Sequence, residues 1–222
     1  MKNKAELVGW YGGDKAIARA AWTSTQADVE AKTDEQIRDL IVNKLWNNGT
    51  GKPHKTPFER GIAEFNITCD VASHIHLIKH RHLNINGESA RYKELKEDKY
   101  YLPEDWKGIV VPDKTRMIDN DWYETLEEYT KLGNDLYHRC LADLTPILGR
   151  KRAKESARFF KTYNSQITLS LMMNMSCFQN FYTLRADDGA QDEIHEIADL
   201  MLQVIKDIPG NPFKYTLEAF GL

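Results

Sequence analysis

Cysteine is scarce in this 222-residue chain: Cys69, Cys140 and Cys177 are odd in number, far apart, and none lies in a C-x-x-C pair. That argues against a disulfide framework or a zinc site of the usual spacing and fits a reducing cytoplasm. Long apolar runs are missing as well. The N-terminal MKNKAELVGWYGGDK has no secretory apolar core, and no segment approaches the ~20 apolar residues of a membrane-spanning helix, so a soluble intracellular protein is expected. An excess of one charge is also absent: 30 Lys and Arg against 33 Asp and Glu give a formal net charge of -3. Nothing global then points to nucleic acid or an anionic membrane, and any affinity for anions must come from a local cluster. No repeat, low-complexity block or Gly/Ser-rich linker interrupts the chain, which reads as a single domain, 1–222, long enough to bury a full core.

What is present is a mixture of helical and strand periodicity. Helices are expected over 14–22 and 34–47, where Ile37, Leu40, Ile41 and Leu45 recur at helical spacing. NNGTGKPHKTPFE follows as a turn-rich loop in which Pro53 and Pro57 disfavour helix. Ala63, Phe65, Ile67 and Cys69 alternate with polar residues and predict a half-buried strand over 61–69. A short helix over 71–81 leads to a loop, HLNINGESARY, and 96–117 reads as surface loop with one short strand at 100–102. The longest helix, 121–143, carries Trp122, Leu126, Tyr129, Leu132, Leu136, Cys140 and Leu144 on one stripe. A basic helix over 150–158, a strand over 159–171 and helices over 174–184 and 188–207 complete an α+β domain.

The densest chemistry lies in 76–92, HLIKHRHLNINGESARY: His76, His80, His82, the cations Lys79, Arg81 and Arg91, then Glu88 and Ser89 after a glycine. Cations beside a hydroxyl and a flexible turn are the parts of an anion site, since charge attracts while hydroxyl and backbone N–H groups orient. The same composition equally describes a solvated basic loop complementing a helix C-terminus. No third ligand stands at metal-site spacing from His80 and His82, so no metal is expected.

The run Lys79-His80-Arg81, seven residues, then Ser89, with Arg91-Tyr92 behind it, resembles the R-H-R-x7-S signature of the flavin-dependent thymidylate synthases. Further blocks follow in that family's order. HKTPFE (54–59) resembles its H-x-T/S-P-F-E segment, and RAAWTS (19–24) its early A-R-V-S segment. Ala157-Arg158, Asn174, Asn180 and LRADDGAQDEI (184–194) reproduce the spacing of its C-terminal half. The resemblance covers roughly 14–206.

It implies an α+β fold with a mixed or antiparallel sheet flanked by long helices, and a set of roles. Lys79, His80, Arg81, Thr56, Asn174 and Asn180 would contact FAD, with Ser24 and Glu88 as further contacts. Ser89, Ala90 (through its backbone), Arg91 and Arg158 would hold the phosphate of dUMP, with His76, Lys79 and Glu88 beside the nucleotide. Arg185 would be the catalytic residue, a fixed cation at the uracil N3–C2 edge that favours the anionic ring and raises electron density at C5; the alternative is a helix-end ion pair with Asp187 or Asp188. The resemblance further implies NADPH as reductant, 5,10-methylenetetrahydrofolate as carbon donor, and a homotetramer with shared active sites. The other class of thymidylate synthase attacks with a cysteine in a Pro-Cys-His context, which ITCDV, HRCLA and MSCFQ do not resemble; only Cys177 lies near the expected flavin asparagines.

Five positions depart from the family pattern. Lys79 stands for Arg, His76 for Gln, Ser176 for Arg and Asp192 for Trp, while Glu88 sits one place later than the family's Glu. These departures fall around both ligands. They keep open a divergent relative that methylates or hydroxymethylates UMP or dCMP, or a nucleotide-binding protein without catalysis.

Overall fold

The computed structural model describes every residue except Gln26, Ala27, Ala90, Lys114, Arg116 and Met117. In chain order the elements are β1 (Lys4–Tyr11), α1 (Gly13–Trp22), α2 (Asp34–Arg38), β2 (Ile62–Asp70), α3 (Val71–Leu77), β3 (Leu83–Gly87), β4 (Val110–Asp113) and β5 (Ile118–Asp121). They continue with α4 (Trp122–Leu148), α5 (Arg150–Ala157), β6 (Gln166–Asn174), α6 (Met175–Arg185), α7 (Asp192–Lys206) and α8 (Lys214–Phe220). Four strands hydrogen-bond in the order β1-β2-β6-β3, and β4 and β5 form a separate antiparallel pair. The expected α+β class is therefore the observed one. Packing divides the chain into two compact units, one of Met1–Asn3, Thr68–Ile75 and Gly87–Thr168, the other of Lys4–Ile67, His76–Asn86 and Leu169–Leu222.

The second unit buries α7 along Ile194, Ile197, Ala198, Met201, Leu202 and Ile205, a stripe at three- and four-residue steps that packs against β1. Each such side chain taken out of water contributes roughly 1.5–3 kcal/mol. Trp46, Phe58 and Phe220 form a triangle of rings with centroids 4.7 to 5.7 Å apart. Gly61 is a close-approach point rather than a hinge. A Cβ there would lie 2.8 Å from the Phe213 ring and 2.9 Å from Met175 Cγ.

The N-terminus of α8 is capped from a distance. Phe213, at the cap position, has no side-chain acceptor. The buried Asp14 carboxylate of α1 accepts instead from Tyr215 N (2.8 Å), Thr216 N (3.0 Å) and Thr216 Oγ1 (2.6 Å). Burial pushes the Asp14 carboxyl up from 3.8 to about 6, against those three donors.

The first unit packs α4 on α5 through Tyr137, Leu141, Ala153 and Ala157. Its helix confirms the expected location but not the expected face. The buried side of α4 is Thr130, Gly133, Asn134, Tyr137 and Leu141, whereas Trp122, Tyr129 and Leu132 are exposed and Leu126, Leu136, Cys140 and Leu144 half-buried. The face is chosen by close packing and polar pairing rather than by apolar area. At Gly133 a Cβ would meet Phe160 O at 2.6 Å, and Thr130 Oγ1 exchanges hydrogen bonds with the Asn164 amide. The helix also runs past Pro146 to Leu148 before Gly149, at φ 78, ends it.

Other boundaries moved for identifiable reasons. The 71–81 helix stops at Leu77, and the residues after it form turns. The expected loop at 83–87 is strand β3, because Leu83, Ile85 and Gly87 alternate with two asparagines and the segment finds a partner in β6. β1 and α8 lie in termini to which no element had been assigned. The strand expected over 100–102 reduces to a single bridge, Tyr100 to Ser165. Residues 39–46 continue α2 as a π-helical segment with Leu40, Ile41, Val42 and Leu45 buried.

Replacing Asp14 by Ala is expected to cost about 2 kcal/mol or more, and to speed hydrogen exchange in 214–220 before the rest of the chain. The raised carboxyl contributes stability that is complete below the unfolded value of 3.8 and is lost as pH rises through about 6. Urea unfolding followed across that window should therefore lose this slope in Asp14→Asn.

Candidate active site

The second unit contains an open cleft of about 620 Å³ walled by the 79–82 turn, by α6 and by the Lys55–Glu59 segment. Its geometry starts at the end of β6. Asn174 leaves the strand in extended conformation and its Oδ1 accepts from Cys177 N at 2.8 Å, capping α6, while Met175 N donates to Gly61 O at 2.8 Å. From this start, Cys177, Asn180 and Leu184 recur at three- and four-residue steps and, with Arg185, line the cleft.

The facing wall follows α3. Lys79 N donates to His76 O (3.3 Å) and His80 N to Leu77 O (3.1 Å), and His82, at φ 64, turns the chain into β3. Cys177 Sγ donates to Arg81 O at 3.1 Å, tying this turn to α6. His80 is 9% exposed, packs edge-on against Phe181 with centroids 5.0 Å apart, and accepts at Nε2 from Arg185 Nε at 3.0 Å. Burial, then Arg185, then His76 hold the His80 imidazole below its usual 6.5. A ring that accepts at Nε2 carries its proton on Nδ1, so His80 is a neutral acceptor here.

The cleft thus gathers Lys79, His80, Arg81, Asn174, Asn180 and Arg185, six of the residues singled out from the sequence. It adds Lys55 and Glu59, which the sequence reading passed over although they flank Thr56 in HKTPFE. Lys55 Nζ donates to Gln179 Oε1 at 2.9 Å and sits 5.6 Å from the centre of the Trp46 ring. Ser176 lines the cleft too. Among the described residues Arg185 forms no ion pair with Asp187 or Asp188; its recorded partner is His80. His76 is half-buried in the last turn of α3. Ser24 and Thr56 line a separate cavity of about 440 Å³ in the same unit, together with His54 and Arg60. Ser24 Oγ donates to Ala21 O at 3.1 Å, and Thr56 opens a 3-10 turn, Thr56–Arg60.

The other expected residues belong to the first unit. Ser89 Oγ accepts from Arg91 N at 3.3 Å, and Arg91 Nε donates to Glu155 at 2.9 Å. Arg158 is exposed at the end of α5, and Ala90 lies outside the described residues. Glu88 has a clear structural employment. Its N–H donates to Thr168 O at 2.8 Å, its Oε2 accepts from Thr168 N at 3.2 Å, and its Oε1 pairs with Lys93 at 2.6 Å. Glu88 therefore prolongs the β3–β6 ladder. A cleft of about 360 Å³ in this unit is lined by Lys93, Arg150, Lys154 and Lys161, which the sequence reading did not single out because they lie scattered over seventy residues of chain.

No group of three or more His, Cys, Asp or Glu among the described residues is arranged to hold a metal ion, and no described helix is long and apolar enough to cross a membrane. Burial raises the Cys177 thiol and pushes Cys69 up to about 12.

The fold has a solved counterpart. The structure described as "Crystal structure of a UMP/dUMP methylase PolB from Streptomyces cacaoi bound with 5-Br dUMP" superposes with a TM-score of 0.77, covering 99% of this chain and 95% of that one at 22% identity. This likeness establishes the α+β architecture. The family follows from sequence: the family model described as "Thymidylate synthase complementing protein" matches residues 6–209. The chain belongs to this family, the flavin-dependent thymidylate synthases. A protein of that name from Thermosipho africanus is 29% identical over 99% of this chain and 91% of its own length. Another, from Pseudothermotoga lettingae, is 29% identical over 97% and 88%.

Cys69 and Cys177 are expected to resist a thiol-specific dye in the native protein at neutral pH and to react once urea unfolds it. Rapid native labelling of Cys177 would mean that its thiolate is populated and reachable, contrary to the burial and the Arg81 hydrogen bond.

Proposed function

We propose that this chain is a thymidylate synthase that methylates dUMP at C5 to give dTMP, with 5,10-methylenetetrahydrofolate as carbon donor and FAD, reduced by NADPH, as hydride source. The observation that carries the reading is the cleft itself, where Lys79, Arg81 and Arg185 stand with Asn174 and Asn180 around a neutral histidine. Cations suit the pyrophosphate of a flavin dinucleotide, and side-chain amides can donate to and accept from the edge of its ring. The donor set therefore fits FAD, with Lys79, His80, Arg81, Asn174 and Asn180 as its holders. Thr56 and Ser24 are assigned to it on the family pattern. Bound there, the flavin supplies the hydride, and the folate supplies the one-carbon unit.

The protein's own part is to bind, orient and polarise. Arg185 is read as the group at the uracil N3–C2 edge: a guanidinium held in place favours charge on the ring without reorganising as it develops. Ser89, Arg91 and Arg158, with the Ala90 backbone, are assigned to the nucleotide phosphate, a hydroxyl and two guanidinium forks being suited to a dianion. His76 is assigned beside the nucleotide. Glu88, whose oxygens accept from Thr168 N and Lys93 Nζ, is assigned beside the flavin and the nucleotide on the family pattern, with acceptor capacity to spare. The family pattern further supports reading 1–222 as one functional domain acting in a cytoplasmic homotetramer. The exposed Trp122, Tyr129 and Leu132 of α4 favour burial against other copies.

A second reading is action on UMP as well as dUMP. It is favoured by the described activity of the PolB structure that shares this fold and by the departures at His76 and Ser176. The purified protein is expected to be yellow and to bleach anaerobically with NADPH. Mass spectrometry of reactions offered dUMP, UMP or dCMP should find a gain of one methyl group on dUMP. Product from UMP as well as dUMP would install the second reading, and a colourless protein inert on all three would overturn both. Arg185→Ala should abolish methylation by a factor on the order of 100 or more while leaving flavin absorbance in place.

A further inference from the structure

We propose that His80 is a positioning residue for Arg185: a neutral imidazole whose Nε2 takes up the Arg185 Nε–H and so directs the two terminal nitrogens of the guanidinium to the ligand. This rests on the reading of Arg185 as the polarising group and gives it a mechanism of orientation.

An arginine at the end of a helix is a long, flexible side chain, and pinning one is ordinarily the work of a carboxylate fork. Arg185 ends α6, followed closely by Asp187 and Asp188, yet among the described residues it pairs with neither. A carboxylate would hold the guanidinium equally well but would neutralise much of the field that a pyrimidine ring is meant to feel. A neutral imidazole fixes the direction and leaves the charge undiminished. At 3.0 Å it engages only Nε, and both Nη groups, with no partner among the described residues, are free for a ligand.

The residue is fixed at both backbone and ring: His80 N donates to Leu77 O, the Phe181 ring lies edge-on to the imidazole at 5.0 Å, and burial leaves the residue 9% exposed. Phe181 and Arg185 are four residues apart on α6, so one helix face both clamps the ring and presents the cation. Nδ1 is then the nitrogen that carries the proton, which specifies how His80 meets a flavin: as a donor from Nδ1 and never from Nε2.

The arrangement has a defined acid limit. Protonating His80 removes the lone pair that Arg185 Nε needs and sets two like charges side by side. The titratable and charged groups around it are Arg185 and Cys177 from α6, Lys79, Arg81 and His82 from the turn, and Lys55 and Glu59 from the segment before β2, with His76 of α3 acting on it from outside the cleft lining. Burial, Arg185 and His76 all disfavour the protonated ring, so the neutral form is kept down to a pH below the ordinary histidine range.

The test uses the flavin-loaded protein with three variants. In ¹⁵N-labelled protein, His80 should titrate as the Nδ1–H tautomer with an unprotonated Nε2, and a slowly exchanging Arg185 Nε–H should vanish in His80→Leu. Assayed with FAD added to saturation, His80→Leu should lower kcat on the order of 100-fold, with the KM for dUMP changed less than threefold. His80→Gln, whose Oε1 can replace Nε2 as acceptor but does not titrate, should recover at least tenfold of that loss and abolish the acid limb of the kcat profile. A His80→Gln variant no faster than His80→Leu at saturating FAD, or an Nε2–H tautomer in the wild type, would overturn the positioning role. Arg185→Ala separates this from the parent reading. If it turns over like wild type, Arg185 does not polarise the substrate even where the NMR hydrogen bond is present. If it is inactive while His80→Leu is not, Arg185 acts without His80 and the inference fails alone.

Discussion

The start of α6 is the constraint on which the cleft depends. One backbone hydrogen bond, Met175 N to Gly61 O, and one side-chain cap, Asn174 Oδ1 to Cys177 N, fix where β6 ends and the helix begins. Every cleft residue on that helix inherits its direction from this point, because a helix advances about 100° per residue and a one-residue slip would turn Arg185 away from His80. The packing around Gly61 explains why the slip is resisted. Phe213 and Met175 occupy the space a side chain would need, so backbone approaches backbone only at a glycine.

Charge is managed locally in a chain that is close to neutral overall. The cleft is lined by four cations, Lys55, Lys79, Arg81 and Arg185, and by Glu59. Two of them are steadied by neutral groups, Lys55 by the Gln179 amide and the Trp46 face, Arg185 by His80. In the other unit the opposite device operates. Arg91, Arg150 and Lys93 pair with Glu155, Glu94 and Glu88, and Lys161 lies between Asp98 and Asn134. Pairing of partly exposed groups adds little stability, of the order of 1 kcal/mol or less, but it fixes where the long side chains lie.

How much of this was legible beforehand can be argued residue by residue. The alternation of Ala63, Phe65, Ile67 and Cys69 gave strand β2 to within a residue at each end, and the helix expected over 188–207 is α7 with its start four residues later, because such patterns are local consequences of one face being buried. Strand β3 was read as loop although L-N-I-N-G alternates, since five residues between turn signals carry too little periodicity until a partner strand is known. The α4 face was misjudged for a different reason. Counting apolar side chains favours Trp122, Tyr129 and Leu132, yet the structure buries Gly133, whose value lies in lacking a side chain, and Thr130 and Asn134, whose value lies in their partners.

The sequence by itself determined the α+β class, the family through its ordered motif blocks, and the identity of six cleft residues, because these reside in residue type and spacing. Tertiary structure decided what those residues do to one another. It made His80 a neutral acceptor for Arg185, 105 positions away, and it tied Glu88 to Thr168 and Lys93. It also gathered Lys55 and Glu59 beside them. Hydrogen-bond partners and burial depend on contacts distant in the chain, and the protonation state of an imidazole follows from both.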